Sequence, residues 1–324
     1  LGIDFIYYSM NNLIFFKPAM KIQFYFTILF SLILFSCGKE ENKKENGKLY
    51  IVATTGMIKD AVANITGDLA TVEGLMGPGV DPHLYKPTPG DLSKLRQADV
   101  VFYNGLHLEG KMVEVFEKYA REKPVFPVSE GISKDKLKAP DDGAQAYDPH
   151  IWFDVSLWKA AVNQISKKLI EFDPDHKSVY QKNTETYLAK LSELDNWVKT
   201  EIQKIPENGR VLITAHDAFG YFGLAYDIQV KGLQGISTVS EFGLRDVTEL
   251  VNFISSRKIK AVFVETSVPS KSLEKVVAGC KENGHEVKIG GTLFSDAMGE
   301  EGTEEGTYIG MVKSNVNAIV SSLK

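Results

Sequence analysis

Cysteine is scarce in this chain of 324 residues: there are two, Cys37 and Cys280. Two such distant thiols define no disulfide framework, and with no CxxC pair the common cysteine metal and redox motifs are out. Basic blocks are also missing. Lys+Arg number 37 against 42 Asp+Glu, a formal net charge of −5, so no nucleic-acid partner is expected. Zincin and deaminase motifs, HExxH and the nucleophile elbow are absent too, which removes the usual local signatures of a hydrolase. The longest apolar stretch near the start, Phe24 to Phe35, falls short of the roughly 20 residues a spanning helix needs.

That short stretch fits a secretory signal instead. It follows Met20 and Lys21 and ends in Leu34-Phe35-Ser36-Cys37, similar to a bacterial lipobox with its small residue before the cysteine. An ordinary signal peptide with a chance cysteine is the plainer alternative. In the lipobox reading Cys37 carries a lipid anchor, which holds stably with two or more chains. Residues 1–19 read as lying upstream of the true start, so 1–36 form an extension and signal. Residues 37–48, polar and without apolar periodicity, read as a flexible tether.

The folded part is expected from Leu49. Strand patterns at 48–55, 70–76, around 99–104 and at 124–129 alternate with helical ones, so an α/β unit with a mostly parallel sheet is expected. Thr88 followed by Pro89 marks a helix start. Residues 155–172 read as a helix broken at Asp173-Pro174. A stretch from Asp175 to about Ile205 has no internal Gly or Pro. Its apolar stripe of Tyr187, Leu191, Leu194, Val198, Ile202 and Ile205 predicts one long helix of about 45 Å. Past Pro206 strand–helix alternation returns, with Gly284 capping one helix and Cys280 a plain buried thiol inside it. The expected organisation is an α/β lobe (49–174), a long linking helix (175–205) and a second α/β lobe (206–324). No sequence repeat relates the halves.

Six histidines remain to be explained. His83 and His150 each close an Asp-Pro-His triplet, where proline limits backbone freedom. His216 stands between a strand and a helix, and Asp296 follows the last strand; ligands of open α/β sheets bind beyond such carboxyl ends. Separations of 67, 66 and 80 residues form no local metal motif. A single histidine at a helix start is more often a cap or a satisfied polar contact than a ligand. His107 is a rival ligand or a support, His176 reads as a solvated residue, and His285 as a turn residue.

The blocks VDPHLYKPTPGDLSKLRQADVVFYNGLHLEG, DPHIWFDV, TAHDAFGYF, QGISTVSEFGLRDVTELVNFISSRKIKAVFVETSV and SDAMGEEGTEEGTYIGMVKSN resemble the metal-binding solute-binding lipoproteins of bacterial ABC transporters, from about residue 49 to the end. The resemblance implies two α/β lobes joined by one long rigid helix. It implies an interlobe site of His83 and His150 from the first lobe, and His216 and Asp296 from the second. It implies a monomeric, membrane-anchored protein of the cell envelope or periplasm that delivers a divalent metal to a permease, and no catalysis. Specificity clues are mixed: manganese-leaning members carry glutamate at the position of His216, and the histidine-rich loop of dedicated zinc members is missing before His150. The nitrogen-rich set favours Zn2+, with Mn2+ close behind. Asp81, Asp217, Glu241 and Glu265 are the acidic groups available to orient the imidazoles. Glu241 and Arg245 are expected to form an ion pair. A zinc hydrolase and a lipid-anchored adhesin are the competing readings.

Overall fold

In this computed structural model, residues 47–139 and 147–324 are described. The signal, the lipobox cysteine and nearly all of the tether lie outside them.

Two sheets carry the architecture. Strands β1 (Leu49–Ala53), β2 (Ala70–Gly74), β3 (Val100–Tyr103) and β4 (Val125–Pro127) form the first, in the order β2-β1-β3-β4. Strands β5 (Val211–His216), β6 (Gln229–Gln234), β7 (Ala261–Glu265) and β8 (Lys288–Leu293) form the second, β6-β5-β7-β8. All pairings are parallel. The two halves thus share one topology without sharing a sequence. In each sheet the first strand is central and the chain winds to either side of it. This creates a switch point at its carboxyl end, where ligands of such sheets bind. The central strands are apolar runs, as strands covered on both faces require: β5 is buried along its whole length.

Helices α1 (Gly56–Thr66), α2 (Pro89–Gln97), α3 (Val113–Ala120) and α4 (Val155–Phe172) belong to the first half. The predicted cap at Thr88 is present: its hydroxyl accepts from the Asp91 amide, and the Asp91 carboxylate accepts from the Thr88 amide. Asp154 caps α4 by accepting from the amides of Ser156 and Leu157. After a short 3-10 turn at Pro174–His176, the long helix α5 runs from Lys177 to Ile202. It is shorter than the sequence pattern suggested, because proline holds the preceding turn in the tighter form and the chain leaves the helix at Gln203. Its 26 residues span about 39 Å. Tyr180, Thr184, Tyr187, Leu191, Leu194, Val198 and Ile202 form the buried stripe, with Ile205 buried just beyond it.

The second half adds α6 (Gly220–Tyr226), α7 (Leu244–Arg257), α8 (Lys271–Glu282) and α9 (Tyr308–Leu323). Helix α7 starts at Leu244, where the Asp246 carboxylate accepts from the Gly243 amide and closes the first turn. Gly284 ends α8 at φ 75°, and the His285 amide reaches back to the Cys280 carbonyl at 2.9 Å. Cys280 is buried, as expected.

Helix α5 packs against α1 and α4 on one side and α6 and α9 on the other. The largest apolar cluster accordingly contains residues of both halves, from Leu49 through Tyr187 and Leu212 to Leu323. Smaller clusters fill the outer layer of each sheet. Residues 48–324 make one compact unit.

Candidate metal centre

Both Asp-Pro-His triplets fold the same way. The Asp81 carboxylate accepts from the His83 amide at 2.8 Å, and the Asp148 carboxylate accepts from the His150 amide at 3.0 Å. The carboxylate two residues ahead closes a turn and the intervening proline stiffens it, so each imidazole leaves a fixed stem. His83 lies beyond β2, and His150 precedes the turn leading into α4. His216 is the last residue of β5, at the switch point of the second sheet. Asp296 lies beyond β8, in a segment pinned by Asn315 of α9, which exchanges hydrogen bonds with the Phe294 amide and carbonyl at 2.8 and 2.7 Å.

The four side chains meet. One donor atom from each of His83, His150, His216 and Asp296 lies within 4.8 Å of the others, and all four residues are buried. The Nε2 atoms of His83 and His150 are 3.3 Å apart. His150 Nε2 is 3.4 Å from Asp296 Oδ1, and His216 Nε2 is 3.2 Å from Oδ2. A tetrahedron with metal–ligand arms of 2.0 Å has an edge of about 3.3 Å. His216 Nε2 and both Asp296 oxygens are buried without a hydrogen-bond partner, so these approaches are not aligned hydrogen bonds. Buried polar atoms left in this way are costly unless a further group satisfies them.

Carboxylates stand behind two of the imidazoles. His150 Nδ1 is 2.8 Å from Asp148, and His216 Nδ1 is 2.5 Å from Glu265, whose other oxygen accepts from the His216 amide at 2.9 Å. Such partners orient a ligating ring and raise its basicity. Burial works against charge on His150, but Asp148 and Asp296 outweigh it and push its pKa up to about 9. At His216 burial is likewise overcome, here by the charges of Glu265 and Asp296, and the pKa lies well above the usual value. His83 has no such partner among the described residues, and burial drives it down to about 3. Burial raises Asp296 less than His216 and His150 lower it, so its carboxyl sits well below the usual range.

Of the acidic groups singled out in the sequence, Glu265 faces a ring and Asp81 holds a backbone. Asp217 and Glu241 do neither; Glu241 is exposed. Asp148 was missed, although its place in the second triplet was the available signal. Asn315 was missed for want of any local signal. The expected Glu241–Arg245 pair does not form. Arg245 bonds Glu249 at 2.7 Å, one turn along α7, whereas Glu241 lies ahead of Gly243 and off the helix. His107 is exposed and outside the cluster, in a left-handed run with Gly105 and Leu106. Its neighbours support the site instead: Glu109 accepts from Thr54 and the Asn104 amide, and Asn104 donates to the Pro149 carbonyl at 2.9 Å. His176 is exposed against Asp173, and His285 contacts the Ile259 carbonyl beside its turn.

Residues 51–322 match the family of the periplasmic component A of zinc-uptake complexes, ZnuA. The chain belongs to this family. Its members are transporter components rather than enzymes. The manganese-binding lipoprotein MntA of Bacillus subtilis (strain 168) is 51% identical over 292 residues, 90% of this chain and 95% of that protein. The zinc-binding protein TroA of Treponema pallidum (strain Nichols) is 47% identical over 278 residues, 86% and 90% of the two chains. A solved structure of the Treponema pallidum periplasmic zinc-binding protein TroA matches with a TM-score of 0.83, covering 86% of this chain and 99% of that one. The Fe(III)-bound YtgA of Chlamydia trachomatis is more distant, at TM-score 0.78 and 27% identity. These family neighbours share the two-lobe architecture.

Proposed function

We propose that this protein captures a divalent transition-metal ion outside the cytoplasm and delivers it to an ABC-type permease. In this reading residues 49–174 and 206–324 are the lobes, 175–205 the link between them, and Cys37 carries the lipid that keeps the tethered protein near its permease. His83, His150, His216 and Asp296 are the ligands. The observation that carries the reading is the convergence of these four donors in a buried cluster.

The donor chemistry supports zinc as the preferred ion. Three imidazoles and a carboxylate suit a tetrahedral zinc site, and at a given nitrogen/oxygen site zinc outcompetes manganese. Four protein donors complete that tetrahedron, whereas a hydrolytic zinc keeps a position for water. One observation favours manganese as a second cargo. Asp296 turns a different oxygen toward His150 and His216, so a two-oxygen carboxylate can supply five donors in all. MntA, named manganese-binding, is also the more similar of the two relatives compared above.

Calorimetry on metal-stripped protein tests the assignment. Zinc should bind at one ion per chain. His83→Ala, His150→Ala and His216→Ala should each lose most of the affinity, and His176→Ala should retain it. Equal losses at His176 and His216 would refute the ligand set. Turnover of ester or peptide substrates by the zinc-loaded protein would favour a hydrolase. Competition between zinc and manganese ranks the two ions.

A further inference from the structure

The cluster is held unevenly. His150 sits in a seam of buried hydrogen bonds joining the two halves. On one side of it, the Tyr221 hydroxyl donates to the Asp148 carbonyl at 3.0 Å. On the other, the Trp152 indole donates to the Ser295 carbonyl at 3.0 Å, and the Tyr308 hydroxyl donates to the Trp152 carbonyl at 2.7 Å. Ser295 adjoins Asp296, so this seam ties His150 and Asp296 into one rigid block. Glu265 holds His216 by both its ring and its amide.

His83 is outside that block. No carboxylate supports its ring among the described residues. The segment 75–88 that carries it makes one hydrogen bond to the second half among the described residues: the Thr238 hydroxyl donates to Asp81 Oδ2 at 2.6 Å. The other oxygen of the same carboxylate accepts from the His83 amide. Thr238 is nearly buried, at 9% exposure, and its loop is folded back by Gln234, whose side-chain amide donates to the Thr238 and Ser240 carbonyls at 2.8 and 2.6 Å. One carboxylate therefore connects the backbone of one cluster histidine to the opposite half of the molecule.

Resting on the metal-capture reading, we propose that Asp81 and Thr238 form a latch across the cleft that sets how long the ion is retained, and that His83 is the ligand whose departure lets it go. Asp81 and Thr238 are positioning residues; neither is a ligand. The seam around Trp152 is the pivot, and the latch closes the opposite side. Away from that seam, another polar link between the halves, Lys59 to Glu301 at 2.8 Å, is largely exposed. Exposed pairs contribute little and are screened by salt, so this one is not the retaining contact. The Asp81–Thr238 bond is charge-assisted and shielded, and bonds of that kind are the stronger ones.

The test is the rate at which zinc leaves the loaded protein for excess chelator in a stopped-flow instrument, with the association rate measured alongside. Thr238→Val should release zinc about tenfold faster, equivalent to about 1.4 kcal/mol. Association and the stoichiometry of one should stay unchanged. Thr238→Ser, which keeps the hydroxyl, should restore slow release. Asp81→Ala, which loses both bonds, should release faster still, and Lys59→Met should match the wild type. Wild-type release rates from Thr238→Val, or no rescue by serine, overturn the latch while leaving the capture reading intact. A wild-type protein that takes up neither zinc nor manganese overturns both.

Discussion

At the scale of single residues the cluster is a contest between protons and a dication. The carboxylates of Asp148, Glu265 and Asp296 favour protons on His150 and His216. An imidazole must lose its proton to ligate, so metal binding expels protons and affinity rises with pH. For His150 proton competition sets in below about 9 and grows as the pH falls further. The sign for stability is the reverse. A raised folded pKa contributes stability to the metal-free protein that is fully present below about 6.5 and is lost as pH rises through about 9. Glu265→Gln separates two roles of that carboxylate. Above the His216 pKa, where no proton competes, the variant should bind zinc about tenfold more weakly, because the ring is a poorer donor. Near pH 6.5 the deficit should shrink, since the variant has less proton to displace. Zinc titrations at the two pH values decide this, and an equal deficit at both would reject the proton account.

At the scale of elements, α5 does most to define the geometry between the sheets. It has no internal glycine or proline, and its stripe is buried against helices of both halves. Leu191 is fully buried in it. Leu191→Ala should cost about 2–5 kcal/mol by urea unfolding, while Glu185→Ala on the exposed face should stay within about 0.5 kcal/mol. Strand β6 contributes differently. A Cβ at Gly232 would lie 2.5 Å from the Asp217 amide nitrogen and 2.6 Å from the His216 carbonyl carbon, so only glycine lets β6 run close enough to hold the end of β5. Elements with strong local signals were legible: α4 matches its apolar pattern, and α2 its cap. Those set by a single side chain were not. The start of α7 depends on Asp246 reaching back to Gly243, and apolar periodicity carries no trace of that bond.

At the scale of the whole molecule, the main apolar cluster runs through both halves, and the clusters that belong to one half alone are smaller. The halves are therefore expected to unfold together. Calorimetric scanning of the metal-free protein should give one transition, and zinc at a thousandfold excess over its Kd should raise stability by about 4 kcal/mol. Two resolved transitions would mean that the lobes are independent. A shared core also argues against wide hinge motion, since lobes swing freely only across small polar interfaces. Release through one side of the site is consistent with that restriction.

The sequence by itself determined the alternation that makes two parallel sheets, the long break-free helix, and four candidate ligands standing at the carboxyl ends of strands or beside prolines. Those are local properties, written in periodicity, proline and glycine. The tertiary structure alone decided that the four side chains meet, that Asp148 and Glu265 stand behind two rings while no described carboxylate backs the third, and that Asp81 reaches across to Thr238. Residues 157 positions apart meet only because both sheets turn their carboxyl edges to one cleft, and no local pattern encodes that distance.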